Sequence, residues 1–413
     1  MVEKIQFHQV LFSFRLELGP TTSYCSQCAF QSFGVWMKQP ATLPRVGFLL
    51  EQTLGHVTHS QNLRQLVSKS PSIDAVFHPI PFDCTGLAAQ IPLYRSNWSI
   101  RAGIRACSAI SALEKSTPLD ALFIHTQVPA VLVRRSMKRI PTVVSLDATP
   151  VQYDKFGSHY QHQLSSSLTE RGKWVANRSC YRRAAGLVAW SEWTKSSVVN
   201  DYGIDPDRVT VIPPGVVQPD WKRPSGRPHN IDVVRILFVG GDMERKGGLA
   251  LLQAFRMLRS QQPHNSYALR PQLELHLVTR SAVADEPGVV VHNALEPNSS
   301  DLKELFHASD IFCLPTRGDC LPMVLSEAGA SGLPLISTRV GAIEELVIDN
   351  KTGLLVPPDD VAALTNALGM LVDDADLRRR LGSQAAVLVG ARHDAQRNAI
   401  QLVELLRSKA AVP

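Results

Sequence analysis

Two acidic residues stand eight positions apart in the stretch LPTRGDCLPMVLSEAGASG, which runs from Leu314 to Gly332. Asp319 lies in a polar loop after an apolar run typical of a buried strand, and Glu327 lies in a helix predicted to begin near Pro322. A helix N-terminus offers unpaired N–H groups and a positive dipole end, which favour a phosphate. A carboxylate further into the helix can accept hydrogen bonds from ribose hydroxyls. The alternative is that Asp319 is an ordinary loop acid and Glu327 a solvated one.

A glycine-rich turn supplies a second candidate phosphate site. It begins at Gly240 and Gly241, ends at Gly248, and carries Arg245 and Lys246 side by side. Glycines allow close approach of the backbone to a ligand, and two cations complement a diphosphate. The turn is neither a G-x-G-x-x-G fingerprint nor a P-loop, so dinucleotide redox chemistry is disfavoured. An exposed basic turn without a ligand is the plainer alternative.

The elements around these residues alternate between strand-like and helical patterns along the whole chain. An apolar strand leads into a loop containing Gly55, and two later strands end near His125 and Asp147. The polar, proline-containing stretch 218–230 is typical of a linker, and a second series of strands begins at 234. Two rounds of alternation predict an α/β protein of two doubly wound, Rossmann-like domains. If these domains face each other, their ligands lie in the cleft between them, at the carboxyl ends of the strands.

We divide the 413 residues into four segments. Residues 1–43 form an N-terminal extension without clear periodicity, which we expect to be poorly ordered. Residues 44–230 and 231–391 form the two domains, and residues 392–413 form a final helix. The hydrophobic share of 44% and the charged share of 19% are typical of a soluble globular protein, without an apolar run long enough to span a bilayer.

The cysteines and the charge indicate the compartment and the partners. Cys25 and Cys28 form a lone C-x-x-C without a second pair at zinc spacing, so neither a metal site nor a disulfide framework is expected, and we infer a reducing cytoplasm. Residues 1–230 carry a net charge of +10 and residues 231–413 carry −4, which together give +6. The basic half favours an anionic acceptor or a membrane surface, against the alternative of an ordinary solvated surface. Nucleic acid is disfavoured because its recognition motifs are absent from the sequence.

Three stretches together resemble one known family. VGGDMERKGG, PTRGDCLPMVLSEAGASGLPLIST and VGAIEELVIDNKTGLLVPPDD follow one another between residues 234 and 375 as in the C-terminal domain of the family 4 retaining glycosyltransferases, which have the GT-B fold. A weaker resemblance extends over residues 45–216. Together the two resemblances imply that residues 44–230 form the acceptor-side domain and that residues 231–391 bind the nucleotide-sugar donor.

The resemblance also implies roles for individual residues. Lys246 would bind the donor diphosphate with help from Arg245, Glu327 would hold the ribose, and Asp319 would lie near the transferred sugar. The backbone of the donor site would be provided by Gly55, Gly240, Gly241, Cys320, Leu321, Pro322, Met323 and Val324.

Three positions differ from the family's usual pattern. Asp319 replaces a glutamate and is one methylene shorter, and Gly241 stands where many relatives have an arginine, so that Arg245 has to compensate. Asp147 stands where many relatives have a histidine near the reacting sugar, and we therefore include it among the catalytic candidates. His125, at another strand tip, is a further candidate, against the alternative of a structural histidine.

The function implied by the resemblance is retaining, hexosyltransferase-like transfer from a nucleotide-diphosphate sugar to a hydroxyl of a glycan, a lipid or a small molecule. Arg245 and Lys246 would stabilise the departing diphosphate, so neither a metal nor another cofactor is expected. We expect a cytoplasmic protein, with peripheral contact to the inner face of the membrane as one option. The alternatives are another GT-B enzyme, such as a nucleotide-sugar epimerase or a phosphorylase, and a non-catalytic sugar-nucleotide-binding protein.

Overall fold

The computed structural model describes residues 43–53, 55–85, 90–156, 166–224, 232–261 and 271–410. The predictions for the N-terminal extension, except for residue 43, and for Cys25 and Cys28 lie outside these ranges. Among the described residues, every helix is too short or too polar to cross a membrane.

The first sheet has six parallel strands in the order β2-β1-β3-β4-β5-β6. They are β1 (Arg45–Gln52), β2 (Asp74–Pro81), β3 (Ala121–His125), β4 (Thr142–Leu146), β5 (Gly186–Ala189) and β6 (Val209–Val211). Strands β3, β4 and β5 are buried along their whole length because helices cover both faces of the sheet. The helices are α1 (His56–Val67), α2 (Pro92–Ser96), α3 (Trp98–Ser116), α4 (Gln127–Ala130), α5 (Pro150–Asp154), α6 (Ser167–Arg183) and α7 (Glu192–Asn200). We call this sheet with its helices the N-terminal lobe.

The second sheet also has six parallel strands, in the order β12-β11-β10-β7-β8-β9. They are β7 (Val233–Val239), β8 (Gln272–Val278), β9 (Val289–His292), β10 (Ile311–Leu314), β11 (Leu335–Thr338) and β12 (Gly353–Val356). The helices are α8 (Gln218–Trp221), α9 (Gly248–Ser260), α10 (Ser300–Ala308), α11 (Met323–Ala330), α12 (Val361–Asp373) and α13 (Ala375–Arg392). We call this sheet with its helices the C-terminal lobe. The predicted α/β class with two Rossmann-like domains is confirmed.

The predicted linker 218–230 begins with structure of its own. Helix α8 occupies its first four residues, and Trp221 is 2% exposed, with its ring edge-on to Phe306 at 5.2 Å. The prediction of a linker is wrong for these four residues, because burying the large indole of Trp221 against the core of the second sheet stabilises this end of the segment.

The last helix, α14 (Ala395–Ala410), returns to the N-terminal lobe. Leu402, Val403 and Leu406 are buried in one core cluster with Val46 and Phe48 of β1. The two lobes are therefore joined twice, once before β7 and once before α14.

In both sheets, later strands are added on both sides of the first strand, so that the order of the strands reverses there. In the N-terminal lobe the chain moves to opposite sides of β1, and in the C-terminal lobe to opposite sides of β7. Parallel α/β sheets bind ligands at such switch points, beyond the carboxyl ends of the strands. The loops after β1 and β3 in the N-terminal lobe, and after β7 and β10 in the C-terminal lobe, therefore border these switch points.

Candidate active site

A cavity of about 520 Å³ lies between the two lobes, at the carboxyl ends of both sheets. The N-terminal lobe contributes His56 after β1, Asp147 after β4 and Trp190 after β5. Apart from His125, all of the residues predicted to act in catalysis or donor binding line this cavity: Gly55, Asp147, Gly240, Gly241, Arg245, Lys246, Asp319, Cys320, Leu321, Pro322, Met323, Val324 and Glu327. The structure thus brings them together, while their individual roles remain predictions.

The two cations of the glycine turn meet at Asp319. Lys246 Nζ lies 2.8 and 2.9 Å from the two oxygens of the Asp319 carboxylate, and Arg245 Nη1 lies 3.3 Å from one of them. The hydroxyl of Thr316 donates to the other oxygen at 2.8 Å. With 9% of its side chain exposed, Asp319 orients both cations at the cavity wall.

Two glycines allow the loops that carry these charges to touch. Gly247 has φ of 75°, and a Cβ there would lie 1.9 Å from the carbonyl oxygen of Pro315. Gly341 has φ of 60°, and a Cβ there would lie 2.2 Å from the carbonyl oxygen of Asp319. Both positions need the left-handed backbone and the missing side chain of glycine. They fix the loop after β10 between the glycine turn and the loop after β11.

Gly55 and Gly241 differ from these two glycines. A Cβ at either position would meet no atom within 4 Å. The fold therefore does not require glycine at these positions. Because both residues line the cavity, the space beside their backbone is open to a ligand.

Glu327 is buried in the second turn of helix α11, with 7% of the residue exposed. Burial raises the pKa of its carboxyl group to about 7, and the charge of Lys303 opposes this rise only in part. The helix begins at Met323, and Pro322 precedes it as the N-cap residue, one position earlier than predicted for a first-turn proline. The start of this helix belongs to the same cavity, because residues 320–324 are part of its lining, and the first N–H groups of a helix have no partner within the helix itself.

His56 forms the charged wall of the N-terminal lobe together with Asp147. Its Nε2 lies 3.2 Å from Asp147 Oδ2, and Asp147 Oδ1 accepts the backbone N–H of Ala148 at 2.9 Å. Sequence reasoning missed His56, although it follows Gly55 directly, at the first position of helix α1. Its partner stands 91 positions later, and only the fold brings the two together.

His125 lies in the interior rather than in the site. Its residue exposure is 0%, and its ring stacks on Trp190 with centroids 5.0 Å apart and an angle of 4° between the planes. Burial, followed by the positive charge of His56, holds its pKa well below the usual value. His125 is outside the lining of the cavity, so the geometry favours the structural alternative over a direct role.

The lobes also touch beside the cavity. Glu345, after β11, accepts hydrogen bonds from the backbone N–H groups of Glu192 and Trp193, which begin helix α7. Trp190 packs with Leu321 and Ala342 in a small buried cluster that spans both lobes. Within the described ranges, no group of three His, Cys, Asp or Glu residues has the arrangement of a metal site.

Two family models match the chain. The model described as Glycosyltransferase Family 4 matches residues 65–217, and the model described as Glycosyl transferases group 1 matches residues 233–374. The second match contains the glycine turn and the loop after β10, and the two matches together include most of the cavity lining.

The chain is similar to curated enzymes over about half of its length. It is 31% identical to a D-inositol 3-phosphate glycosyltransferase of Pseudarthrobacter chlorophenolicus over 215 residues, which are 49% of this chain and 51% of that protein. It is also 31% identical to an MMP alpha-(1->4)-mannosyltransferase of Mycolicibacterium hassiacum over 214 residues, which are 49% of this chain and 48% of that protein. The chain thus spans about half the length of the curated relatives it matches.

Solved structures resemble the chain over most of its length. Sucrose-phosphate synthase from Thermosynechococcus elongatus superposes with a TM-score of 0.67 at 16% identity, covering 88% of this chain and 98% of that one. Anabaena Alr3699/HepE in complex with UDP-glucose superposes with a TM-score of 0.60 at 16% identity, covering 88% of this chain and 99% of that one. These likenesses show the fold, and the predicted GT-B architecture is confirmed.

Proposed function

The chain belongs to the family 4 glycosyltransferases, and from this membership we propose that it moves a sugar from a nucleotide-diphosphate sugar to an acceptor hydroxyl with retained anomeric configuration. One observation carries the proposal. Paired cations, a helix start and a buried carboxylate of the C-terminal lobe line one cavity with Asp147 of the N-terminal lobe. The cations and the helix start match a diphosphate, the buried carboxylate matches a ribose, and Asp147 matches a reacting sugar.

Lys246 and Arg245 act on the leaving group. As the bond between the sugar and the diphosphate breaks, negative charge builds on the phosphate oxygens, and fixed cations nearby lower the barrier. Asp319 neutralises part of the positive charge of Lys246 and Arg245 and keeps both of these side chains in place. Because the two cations do this work, we propose a reaction without a metal ion and without another cofactor.

Glu327 and the start of helix α11 bind the rest of the donor. The ionised Glu327 carboxylate accepts hydrogen bonds from two ribose hydroxyls, and the unpaired N–H groups at the helix start favour a phosphate. One solved neighbour of the same fold holds UDP-glucose, so a UDP-hexose is the first donor to test.

The acceptor side belongs to the N-terminal lobe, where a peripheral contact with an anionic membrane is part of the proposal. Arg134, Arg135 and Lys138 are exposed on a short helical turn, 133–138, and Arg134 reaches Ser179 of α6. Leu132, the residue directly before this turn, is 42% exposed. Cations next to exposed apolar residues favour a cytoplasmic enzyme that acts on a glycan, a lipid or a small molecule near the inner face of the membrane.

A donor screen tests the proposal. Purified protein and its Lys246→Ala variant are heated with a panel of nucleotide sugars, and a ligand at about 100 times its dissociation constant adds about 2.7 kcal/mol to the stability of the folded state. We expect at least one nucleotide sugar to stabilise the unmutated protein and not the variant. Product analysis with and without an acceptor then separates transfer from epimerisation, phosphorolysis or binding alone. The absence of any stabilising nucleotide sugar would refute the proposal.

A further inference from the structure

His56 lies between two carboxylates on the N-terminal wall of the cavity. Its Nε2 lies 3.2 Å from Asp147 Oδ2, and its Nδ1 lies 3.7 Å from Glu51 Oε2. The side chains of His56 and Asp147 are 16% and 22% exposed, and both residues line the cavity. Glu51 is fixed in turn by hydrogen bonds from the indole N–H of Trp98 at 2.7 Å and the hydroxyl of Thr126 at 2.5 Å. Charges this deep are stable only when they are paired.

We propose that His56 is a positioning residue that holds Asp147 as an anion beside the reacting sugar. This inference rests on the proposed function and adds a residue that the sequence analysis did not assign.

The charge states follow from the surroundings of the pair. Burial alone would lower the pKa of His56, but Asp147 and Glu51 outweigh it and raise the pKa to about 10. Burial alone would raise the pKa of Asp147, but the charge and hydrogen bond of His56, together with the N–H of Ala148, lower it. Imidazolium and carboxylate therefore coexist throughout the neutral pH range.

The other histidine, tyrosine and cysteine side chains around Asp147 are neutral, so His56 has the dominant influence on the charge state of Asp147. Burial lowers the pKa of His59 to about 3, with a further contribution from the charge of His56, so His59 is neutral. Burial raises the pKa of Tyr153 to about 12 and raises that of Cys320. Tyr181 is likewise neutral because burial raises its pKa. Among the described groups, the positive charge that acts most on Asp147 is therefore that of His56.

A fixed anion at this place suits the proposed chemistry. When the bond to the diphosphate breaks, positive charge develops on the sugar, and a preorganised carboxylate stabilises it. Asp147 belongs to the lobe opposite Lys246, so the cavity presents a negative group from one lobe and positive groups from the other. Each carboxylate oxygen keeps acceptor capacity for a sugar hydroxyl beyond its hydrogen bond to Ala148 or His56.

A double-mutant cycle tests whether His56 acts through Asp147. We expect His56→Gln to lower kcat about 10- to 150-fold, the range for one charge-assisted hydrogen bond. In an Asp147→Asn background the same substitution should change kcat by less than about twofold. The acid limb of the pH–rate profile should move to higher pH in His56→Gln and stay in place in the matched control His59→Gln, one turn along α1. The inference would be overturned if the reductions in kcat of the two single variants multiply in the double variant. It would also be overturned if the acid limb stays in place in His56→Gln.

A readout without turnover separates this inference from the proposed function. Nitrogen-15 NMR of the histidine rings in the unliganded protein should show His56 doubly protonated at pH 8, with its pKa lowered in Asp147→Asn. A neutral His56 at pH 7 would overturn the inference even if the protein transfers sugar. Absence of transfer with every nucleotide sugar tested would refute the proposed function, and a doubly protonated His56 would then still establish the pair.

Discussion

The carboxylate of Glu345 accepts a 2.7 Å hydrogen bond from the backbone N–H of Trp193, across the boundary between the lobes. Its second oxygen accepts the N–H of Glu192 at 3.0 Å, while the Ser191 side chain accepts that of Thr194. Three of the N–H groups at the start of helix α7 are thus satisfied, two of them by the other lobe. The negative charge also lies at the positive end of the helix dipole.

Removing this contact should loosen the lobes. We expect Glu345→Ala to lower the free energy of unfolding by about 1–2 kcal/mol, the usual effect of losing a helix cap. Hydrogen exchange of the Glu192 and Trp193 amides should rise in the same variant. The matched control is Glu344→Ala, because Glu344 pairs with Arg339 on the exposed surface, where such pairs contribute about 0–1 kcal/mol. Equal effects in both variants would contradict the bridging role.

The cation pair predicts a loss of donor affinity. We expect Lys246→Ala and Arg245→Ala each to weaken binding of a nucleoside diphosphate by about 10- to 150-fold, because a charge-assisted hydrogen bond contributes about 1.5–3 kcal/mol. Isothermal titration calorimetry measures the change. The control is Arg256→Ala. Arg256 lies on the exposed side of α9 and pairs with Glu286, so its removal should leave binding unchanged. Unchanged binding in both cavity variants would remove these residues from the phosphate site.

If the donor diphosphate binds Lys246 and Arg245 as proposed, Asp319 competes with it for these cations. We expect Asp319→Asn to tighten binding of the nucleoside diphosphate and of the nucleotide sugar together, by at least about twofold, because exposed ion pairs already contribute about 0.2–1 kcal/mol and this pair is nearly buried. Transfer should nevertheless slow, because Lys246 is no longer held in place. Both dissociation constants and kcat are measured on the same preparation. A loss of affinity for the nucleotide sugar alone would return Asp319 to direct sugar contact.

Glu327 predicts that donor affinity depends on pH. Its pKa in the folded protein is about 7, above the ordinary value of 4.5, so the buried carboxyl group is protonated below neutrality. Ribose hydroxyls donate to the ionised form, and donor binding should therefore strengthen as pH rises from 6 to 8 and should release a proton near pH 6.5. We expect Glu327→Gln to keep the fold, to lose most donor affinity and to lose this pH dependence. A pH dependence that survives in the variant would assign it to another group.

The same shift has a consequence for stability. Between pH 4.5 and 7 the folded protein keeps a proton that the unfolded chain releases, so the contribution of Glu327 to stability falls as pH rises through this window. The difference in Tm between Glu327→Gln and the unmutated protein should therefore grow in favour of the variant from pH 5 to pH 8. A constant difference would contradict the raised pKa.

The basic turn 133–138 predicts salt-sensitive binding to anionic vesicles. We expect the double substitution Arg134→Glu with Arg135→Glu to abolish co-sedimentation at low salt, because each cation near an anionic bilayer contributes about 1 kcal/mol. Arg379→Glu with Arg380→Glu, on the exposed face of α13, changes the net charge equally and should have little effect. An unmutated protein that stays in the supernatant at low salt would rule out the membrane contact.

The strand–turn–helix segments were predictable because their signals are local. The run from Ile311 to Glu327 contains a buried strand, a polar loop and a proline before the helix, and the glycine turn after β7 contains its own cations. Each of these patterns depends on neighbours within about ten residues, so the C-terminal half of the site followed from the sequence.

The N-terminal half of the site was less predictable because it depends on distant contacts. His125 and Asp147 both end strands, and nothing near either residue shows that Trp190 covers the first and that His56 reaches the second. The role of Glu345 depends on helix α7, more than 150 positions earlier. These relationships are set by the order of the strands and by how the lobes meet.

Helix α14 bears on how the two lobes of this protein can be exchanged. Its apolar face completes the core beside β1, although its sequence follows that of the C-terminal lobe. A chimera that takes a new donor specificity by replacing everything after residue 232 would also replace the helix that the retained half requires. The exchange that keeps both cores intact therefore has two junctions, one before β7 and one between α13 and α14.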